Sequence, residues 1–331
     1  MTLAILPNWL GDLVMVEPAL RRLRERGAVT AVVAPGLSGL LEDCDLVDRI
    51  EIFDRRGRDR GLGGLVRAGR RLRGAEAAWV FGPSLRAAAL SAAGRIPLRV
   101  GLGGAGREFF LNDVRRSPGK PRSRHLVDDW VNLVDPDAAP GSHCAWRVGD
   151  RGVTGLAELR TRHDLAGRLV IFGVSANYGV TKEWPQERFL EVARTLGAEG
   201  FRPVFVGSDA PRERERSSAM AQAGGGLDLA GQTDLPTFAA LLESADLFVG
   251  NDSGPMHLAA ALGTPTVGIF GSTSPEWTGP RGERVRVVGP AAVDCSPCFR
   301  KTCPFDRECL TGVHTQSVLE AIRDLTGSRA Q

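Results

Sequence analysis

Residues 246–273 read DLFVGNDSGPMHLAAALGTPTVGIFGST, and the fold turns on this stretch. Leu247–Val249 is a short apolar run that predicts a buried strand. The run stops at Gly250-Asn251-Asp252-Ser253-Gly254, and a helix over Pro255–Leu262 follows at once. Proline suits a first helical turn because the N–H it lacks has no partner there. Thr266–Phe270 predicts a second strand, ending in Gly271-Ser272-Thr273. Two strand ends thus deliver Gly/Ser/Thr turns, and the first feeds a helix N-terminus. Backbone N–H groups, a positive helix end and short hydroxyls suit a phosphate or diphosphate. Ordinary strand-to-helix turns also use Gly and Ser; the ordered set Asp252, Ser253, Gly254 and His257 favours a binding site.

With 331 residues, the chain is long enough for two domains. Its 43% hydrophobic and 24% charged residues are ordinary for a globular protein. The net charge of +3 is small, and no nucleic-acid partner is expected. Residues 1–150 hold 23 Lys/Arg against 18 Asp/Glu, and the remainder 19 against 21, so the N-terminal half carries the basic surface. No apolar run approaches the roughly 20 residues of a membrane span. The chain enters a strand directly at MTLAILPN, without a basic-then-apolar leader. A cytoplasmic protein with mostly reduced thiols is the expectation.

Strands are predicted at 3–6, 30–34, 50–53 and 77–81, with helices at 13–26, 61–73, 84–93 and 123–135 between and after them. Residues 135–150, DPDAAPGSHCAWRVGD, read as a linker. A helix near 152–163 follows it. Further strands are expected at 169–174, 203–207 and 227–230, and helices at 186–199, 211–222, 235–244 and 315–325. Strands alternating with helices imply parallel sheets. The expected organisation is α/β: a Rossmann-like domain over 1–150, a second over 151–314, and a C-terminal helix and tail over 315–331. Two such doubly wound halves are expected to face each other across a cleft, with ligands at the carboxyl ends of the strands.

Asp12 follows Gly11 in the first strand-to-helix turn, where a carboxylate can take a proton from a sugar hydroxyl. Helix starts also favour Asp for capping and dipole reasons, which lowers its basicity, so a base there needs late proton transfer and a well-stabilised leaving group. Lys182, in GVSANYGVTKEWP, either faces a diphosphate whose charge grows as it departs or is a solvated loop cation. Asp209, with Glu213 as the runner-up, can pair with ribose hydroxyls or cap the helix at Pro211. His257 either touches phosphate or holds its loop. The stretch 55–73 has eight Arg and one Asp, Asp59; it is a solvated helix face or a recogniser of carboxylate and phosphate. Cys295, Cys298, Cys303 and Cys309 place four thiols in fifteen residues. That density points to structural zinc or an iron–sulfur site ahead of disulfides, with reduced or loosely paired thiols as the alternative. The segment lies too late in the chain to be expected at the phosphate site. No G-x-G-x-x-G follows the first strand, which argues against a dehydrogenase.

The stretch NDSGPMHLAAALGTPTVGIFGSTSP resembles the signature of family 9 glycosyltransferases, the ADP-heptose:lipopolysaccharide heptosyltransferases. Their motif is D-[ST]-G-x-x-H-x-x-A-A, then P, then G-x-T-x-P. It is matched at Asp252, Ser253, Gly254, His257, Ala260, Ala261, Pro265, Gly271, Thr273 and Pro275. PNWLGDLVMVEPALRRLR is similar to the family's N-terminal motif, in which the Asp matched by Asp12 is taken as the base. Lys182-Glu183-Trp184-Pro185 fits the Lys that the family carries before Trp-Pro. Ser175 is nearest to its strand-end hydroxyl, where the next position is Ala176 rather than a second hydroxyl. The resemblance covers nearly the whole chain and lies nearest heptosyltransferase II-like members.

It implies a GT-B fold and inverting transfer of heptose from ADP-heptose to an inner-core heptose/Kdo–lipid A acceptor. Ser175, Lys182, Asp209, Asp252, Ser253, Gly254, His257, Ser272 and Thr273 would hold the donor. Asn8, Arg55, Arg56 and Arg58 would meet the anionic acceptor, with peripheral contact at the inner membrane. No catalytic cofactor is implied, since no Asp-x-Asp pair is set to hold a divalent ion beside the diphosphate. A family 9 transferase using another sugar, an epimerase of the same fold and a non-catalytic nucleotide-binding protein are the rival readings.

Overall fold

The computed structural model describes residues 1–42, 44–120 and 122–327. The chain forms two compact units, Met1–Cys144 and a second that begins at Ala145. The first contains β1 (Thr2–Ile5), α1 (Leu10–Glu25), β2 (Val29–Val33), β3 (Arg49–Ile52), α2 (Gly61–Arg71) and β4 (Ala77–Val80). It continues with α3 (Leu85–Ala93), β5 (Leu98–Leu102), β6 (Asp113–Arg115) and α4 (Leu126–Val134). Its strands form one sheet in the order β3-β2-β1-β4-β5-β6, every pair parallel.

The second unit opens with α5 (Asp150–Arg162), β7 (Arg168–Gly173), α6 (Gln186–Ala198), β8 (Phe201–Val206), α7 (Pro211–Gly224) and β9 (Leu227–Asp228). Then come α8 (Leu235–Glu243), β10 (Leu247–Asn251), α9 (Gly254–Ala261), β11 (Thr266–Ile269), α10 (Pro275–Thr278) and β12 (Val285–Val288). Helices α11 (Glu308–Thr311) and α12 (Thr315–Gly327) finish it; the tail expected beyond them, 328–331, lies outside the described residues. Its sheet runs β12-β11-β10-β7-β8-β9, again all parallel. Each unit therefore repeats one doubly wound order, whose direction reverses between β1 and β4 and between β7 and β10. Such reversals open a crevice at the carboxyl ends of the strands, where ligands bind.

Parallel strands covered by helices on both faces become continuous apolar runs. β2, VTAVV, and β10, LFVGN, are buried at every residue. Leu3, Ile5, Val32, Leu65, Val80 and Leu90 belong to the core of the first unit. In the second, Phe172 stacks on Phe205 with ring centres 5.2 Å apart, and Phe189 meets Trp184 edge-on at 4.9 Å.

The expected elements are present, with shifted ends and five additions, of which α10 and α11 are helices of only four residues. β5, β6 and β12 were not expected: LRVGL carries an Arg and a Gly, DVR has only three residues, and VRVV carries an Arg and lies partly exposed at a sheet edge. Edge strands bury less and so carry a weaker apolar signal. Helix α1 begins at Leu10 rather than 13, with Trp9 at the N-cap. Asp12 is thus the third helical residue, not the last residue of a turn.

Trp184 is fully buried and its indole N–H donates to the Val313 carbonyl at 3.0 Å. Trp184→Ala is expected to lower the stability of the second unit by about 3–5 kcal/mol. Urea unfolding followed by a probe within that unit checks this; an unchanged midpoint would contradict the packing.

Candidate functional site

The carboxyl ends of β7, β10 and β11 bring together residues far apart in sequence. β10 ends at Asn251 and α9 starts at Gly254, so Asp252 and Ser253 form the turn between them. Asp252 is 3% exposed. Its Oδ2 accepts hydrogen bonds from the Lys182 ammonium, which follows β7, and from Thr273 Oγ1, which follows β11, the latter at 2.6 Å. Its Oδ1 lies 3.7 Å from His257 Nε2, one turn along α9. Burial alone would push the Asp252 carboxyl up; the His257 ring and the Lys182 ammonium outweigh it and hold it at about 2, below the ordinary 3.8.

Around this carboxylate stand polar atoms that are buried and, among the described residues, without a partner: Ser175 Oγ, Asn251 Nδ2, Ser253 Oγ, His257 Nδ1 and Ser272 Oγ. A buried polar group left unpaired costs about 1–3 kcal/mol, so five at one set of strand ends mark a surface shaped for a polar ligand. Three are hydroxyls, and Lys182 keeps two N–H donors beyond the one given to Asp252. Gly254 opens α9, whose N-terminal end is positive. The arrangement suits an anionic, oxygen-rich group such as a diphosphate.

Supporting residues that the sequence did not single out lie beneath. Glu183 is 1% exposed; Arg212 Nη2 and Arg216 Nη1 donate to its carboxylate at 2.6 and 2.8 Å, and the Ala176 N–H at 3.2 Å. It thereby ties the turn after β7 to α7. In sequence RERER reads as a solvated helix face, and only the Arg pair four apart hinted that one face is directed inward. Asn251 Oδ1 accepts from the Trp184 N–H at 2.9 Å.

The four-cysteine segment corrects an expectation. Despite its late position it lies across the site: Phe299 N–H donates to the Ser272 carbonyl at 2.8 Å, and Thr181 Oγ1 to the Arg300 carbonyl at 2.6 Å. Its thiols are all free. Cys309 is buried on α11 in the core and Cys295 is exposed; Cys298, Cys295 and Cys303 lie near enough to Cys309 to add to the upward push that burial gives its thiol. Among the described residues no three His, Cys, Asp or Glu side chains could hold a metal ion.

Asp209 is not drawn into the cluster either. It is exposed after β8, whereas Glu213 is half-buried and accepts from the Ser208 N–H at 2.8 Å. From α7, Glu213 thus points back at the end of β8.

In the first unit, Asp12 lies half-buried in the first turn of α1. Asn8 and Arg55 line a small pocket with Phe53, Ser84 and Arg86, and the Arg86 guanidinium stands 5.5 Å above the Phe53 ring. Arg56 is exposed outside it. Arg58 is held locally by the Ile52 carbonyl at 2.7 Å and by Glu51 and Asp59 at 3.7 and 3.5 Å. Buried Asp59 takes both Arg71 amino groups at 3.0 Å, so part of this basic stretch serves the fold. Among the described residues no helix is long and apolar enough to cross a membrane.

The lowered pKa of Asp252 has a consequence for stability. Its contribution, about 2 kcal/mol, is present above pH 4 and lost as the pH falls from about 4 through 2. Asp252→Asn should therefore be less stable than the parent at pH 7, with the gap narrowing towards pH 2. Urea titrations at several pH values measure it; parallel acid losses in both proteins would contradict the ion cluster.

Residues 65–308 match the family described as Glycosyltransferase family 9 (heptosyltransferase). The chain is 30% identical over 315 residues to lipopolysaccharide heptosyltransferase 2 of Salmonella typhimurium (strain LT2), spanning 86% of this chain and 87% of that protein. It is 29% identical over 316 residues to lipopolysaccharide heptosyltransferase 2 of Escherichia coli (strain K12), spanning 86% and 87%. The solved structure of the E. coli ADP-heptose lipopolysaccharide heptosyltransferase II is similar with a TM-score of 0.83, at 24% identity, over 100% of this chain and 99% of that one. The fold is accordingly GT-B, two Rossmann-like sheets, and the chain belongs to glycosyltransferase family 9 as a glycosyltransferase.

Proposed function

We propose that the protein is an inverting heptosyltransferase of lipopolysaccharide core assembly, moving heptose from ADP-heptose to an inner-core heptose/Kdo–lipid A acceptor. The observation that carries the reading is the set of unpaired buried Ser175, Ser253 and Ser272 hydroxyls beside Lys182, at the strand ends where the second sheet reverses. Such a surface matches a diphosphate. The heptose and the lipopolysaccharide acceptor are taken from the names of the relatives at 29–30% identity.

In this reading the donor belongs to the second unit and the acceptor to the first. An acceptor hydroxyl attacks the anomeric carbon and its proton passes to the Asp12 carboxylate. The bond from that carbon to the phosphate oxygen breaks, and ADP leaves with the electron pair. A single displacement inverts the anomeric centre. The negative charge that grows on ADP is met by Lys182, the serine hydroxyls and the start of α9. Asp252 keeps Lys182 aimed, and Glu213 is offered to the ribose in preference to Asp209. No cofactor takes part in the step. Asn8, Arg55 and Arg86 form the pocket for an anionic group of the acceptor, and Arg56 adds to the basic surface that would meet the anionic face of the inner membrane.

Asp12→Asn should lower kcat by about 100-fold or more while ADP affinity is kept, because the amide cannot take the proton and the donor is held by the second unit. A transfer assay with ADP-heptose and a heptose-terminated acceptor, alongside ADP titration, decides this. Full turnover by the variant would contradict the base. Preference for a UDP- or GDP-sugar donor would retain the transferase and discard heptose.

A further inference from the structure

The four-cysteine segment has no role in the chemistry described so far, yet it is fastened to both donor turns. Ser296 Oγ donates to the Gly271 carbonyl at 2.7 Å and Phe299 N–H to that of Ser272 at 2.8 Å, after β11. The Tyr178 hydroxyl donates to the Phe299 carbonyl, and Thr181 Oγ1 to that of Arg300 at 2.6 Å, after β7. Arg307 Nη1 donates to the Val180 and Glu183 carbonyls, on either side of Lys182, at 3.2 and 3.1 Å. Trp277 packs edge-on against Phe299 at 5.5 Å. Gly179 has φ +144°, and a Cβ there would stand 3.0 Å from the Lys301 carbonyl, so a glycine lets the two segments touch.

This strap brings a second cation to the site. Lys301 Nζ is 5.6 Å from the centre of the Tyr178 ring, and Lys182 Nζ is 5.1 Å from the same ring. The charge of Lys182 is largely offset by Asp252. Lys301 is exposed and has no carboxylate within ion-pair distance among the described residues. Two ammonium groups share one aromatic ring, and only one of them has an acid. A ligand bearing two or three negative charges is what this arrangement accommodates.

We propose that Lys301 contacts the diphosphate of the nucleotide-sugar donor together with Lys182, which rests on the donor reading above. The strap is then a wall of the donor site, and Tyr178 spaces the two cations. Lys301 steadies the departing diphosphate from the rim while Lys182 does so from the buried side.

The test is calorimetric titration of the full chain and of Lys301→Ala and Lys301→Arg with ADP, at several salt concentrations, with uncharged adenosine as a competing ligand. Lys301→Ala should weaken ADP about tenfold, the size of a charge-assisted hydrogen bond. It should also flatten the salt dependence of ADP binding and leave adenosine unaffected, and Lys301→Arg should restore most of the loss. Parental ADP affinity in Lys301→Ala would overturn the inference alone. So would equal losses of ADP and adenosine in both variants, which would mean a displaced strap. Failure of the parent chain to bind ADP would overturn the donor reading and this inference with it.

Discussion

The Asp252 carboxylate accepts from the Lys182 ammonium and the Thr273 hydroxyl, and three strand ends are joined by that one group. β10 presents the acid, the loop after β7 the cation and the turn after β11 the hydroxyl. A buried carboxylate with one partner removed would be left uncompensated, at a cost of several kcal/mol. Each turn is therefore held where the others need it. The arrangement also keeps the surrounding serines from satisfying one another: their hydroxyls sit on separate turns whose spacing is set by the ion cluster and the sheet.

Two outer layers keep the centre in place. Glu183, beneath, takes hydrogen bonds from Arg212, Arg216 and the Ala176 N–H, so the loop carrying Lys182 cannot shift without breaking a buried charge network. The strap from Ser296 to Arg307, above, joins the turns after β7 and β11. Lys182 has its backbone carbonyl neighbours bonded from one side and its ammonium from the other. A cation fixed before the diphosphate arrives needs little reorganisation as charge develops, which is the physical basis of electrostatic catalysis.

Most of the fold was legible because buried parallel strands are apolar runs and their helices are periodic; Leu247–Val249 and Leu169–Phe172 announce themselves. What was illegible lies at edges and across distance. β12, VRVV, and β6, DVR, carry charged residues at sheet edges and are too short to stand out. Pro7 and Gly11 made 7–12 read as a turn, whereas α1 starts at Leu10 under Trp9. At the site, Lys182 and Asp252 were readable from their strand ends, but the bond between them spans 70 residues. The contact from Tyr178 to Phe299 spans 121, and nothing local in the cysteine-rich segment encodes it. Asp209 and Glu213 could not be separated in the sequence, because the path of α7 decides where each side chain points. Arg58 and Arg71 looked like free cations, since the buried position of Asp59 becomes visible only once α2 has packed.

A crystal structure of the protein with ADP tests the central claim most directly. The account predicts the diphosphate at the ends of β7, β10 and β11, with its oxygens within hydrogen-bonding distance of Lys182 Nζ and of the Ser253 and Ser272 hydroxyls. ADP bound elsewhere on the chain, with those three groups untouched, would contradict it.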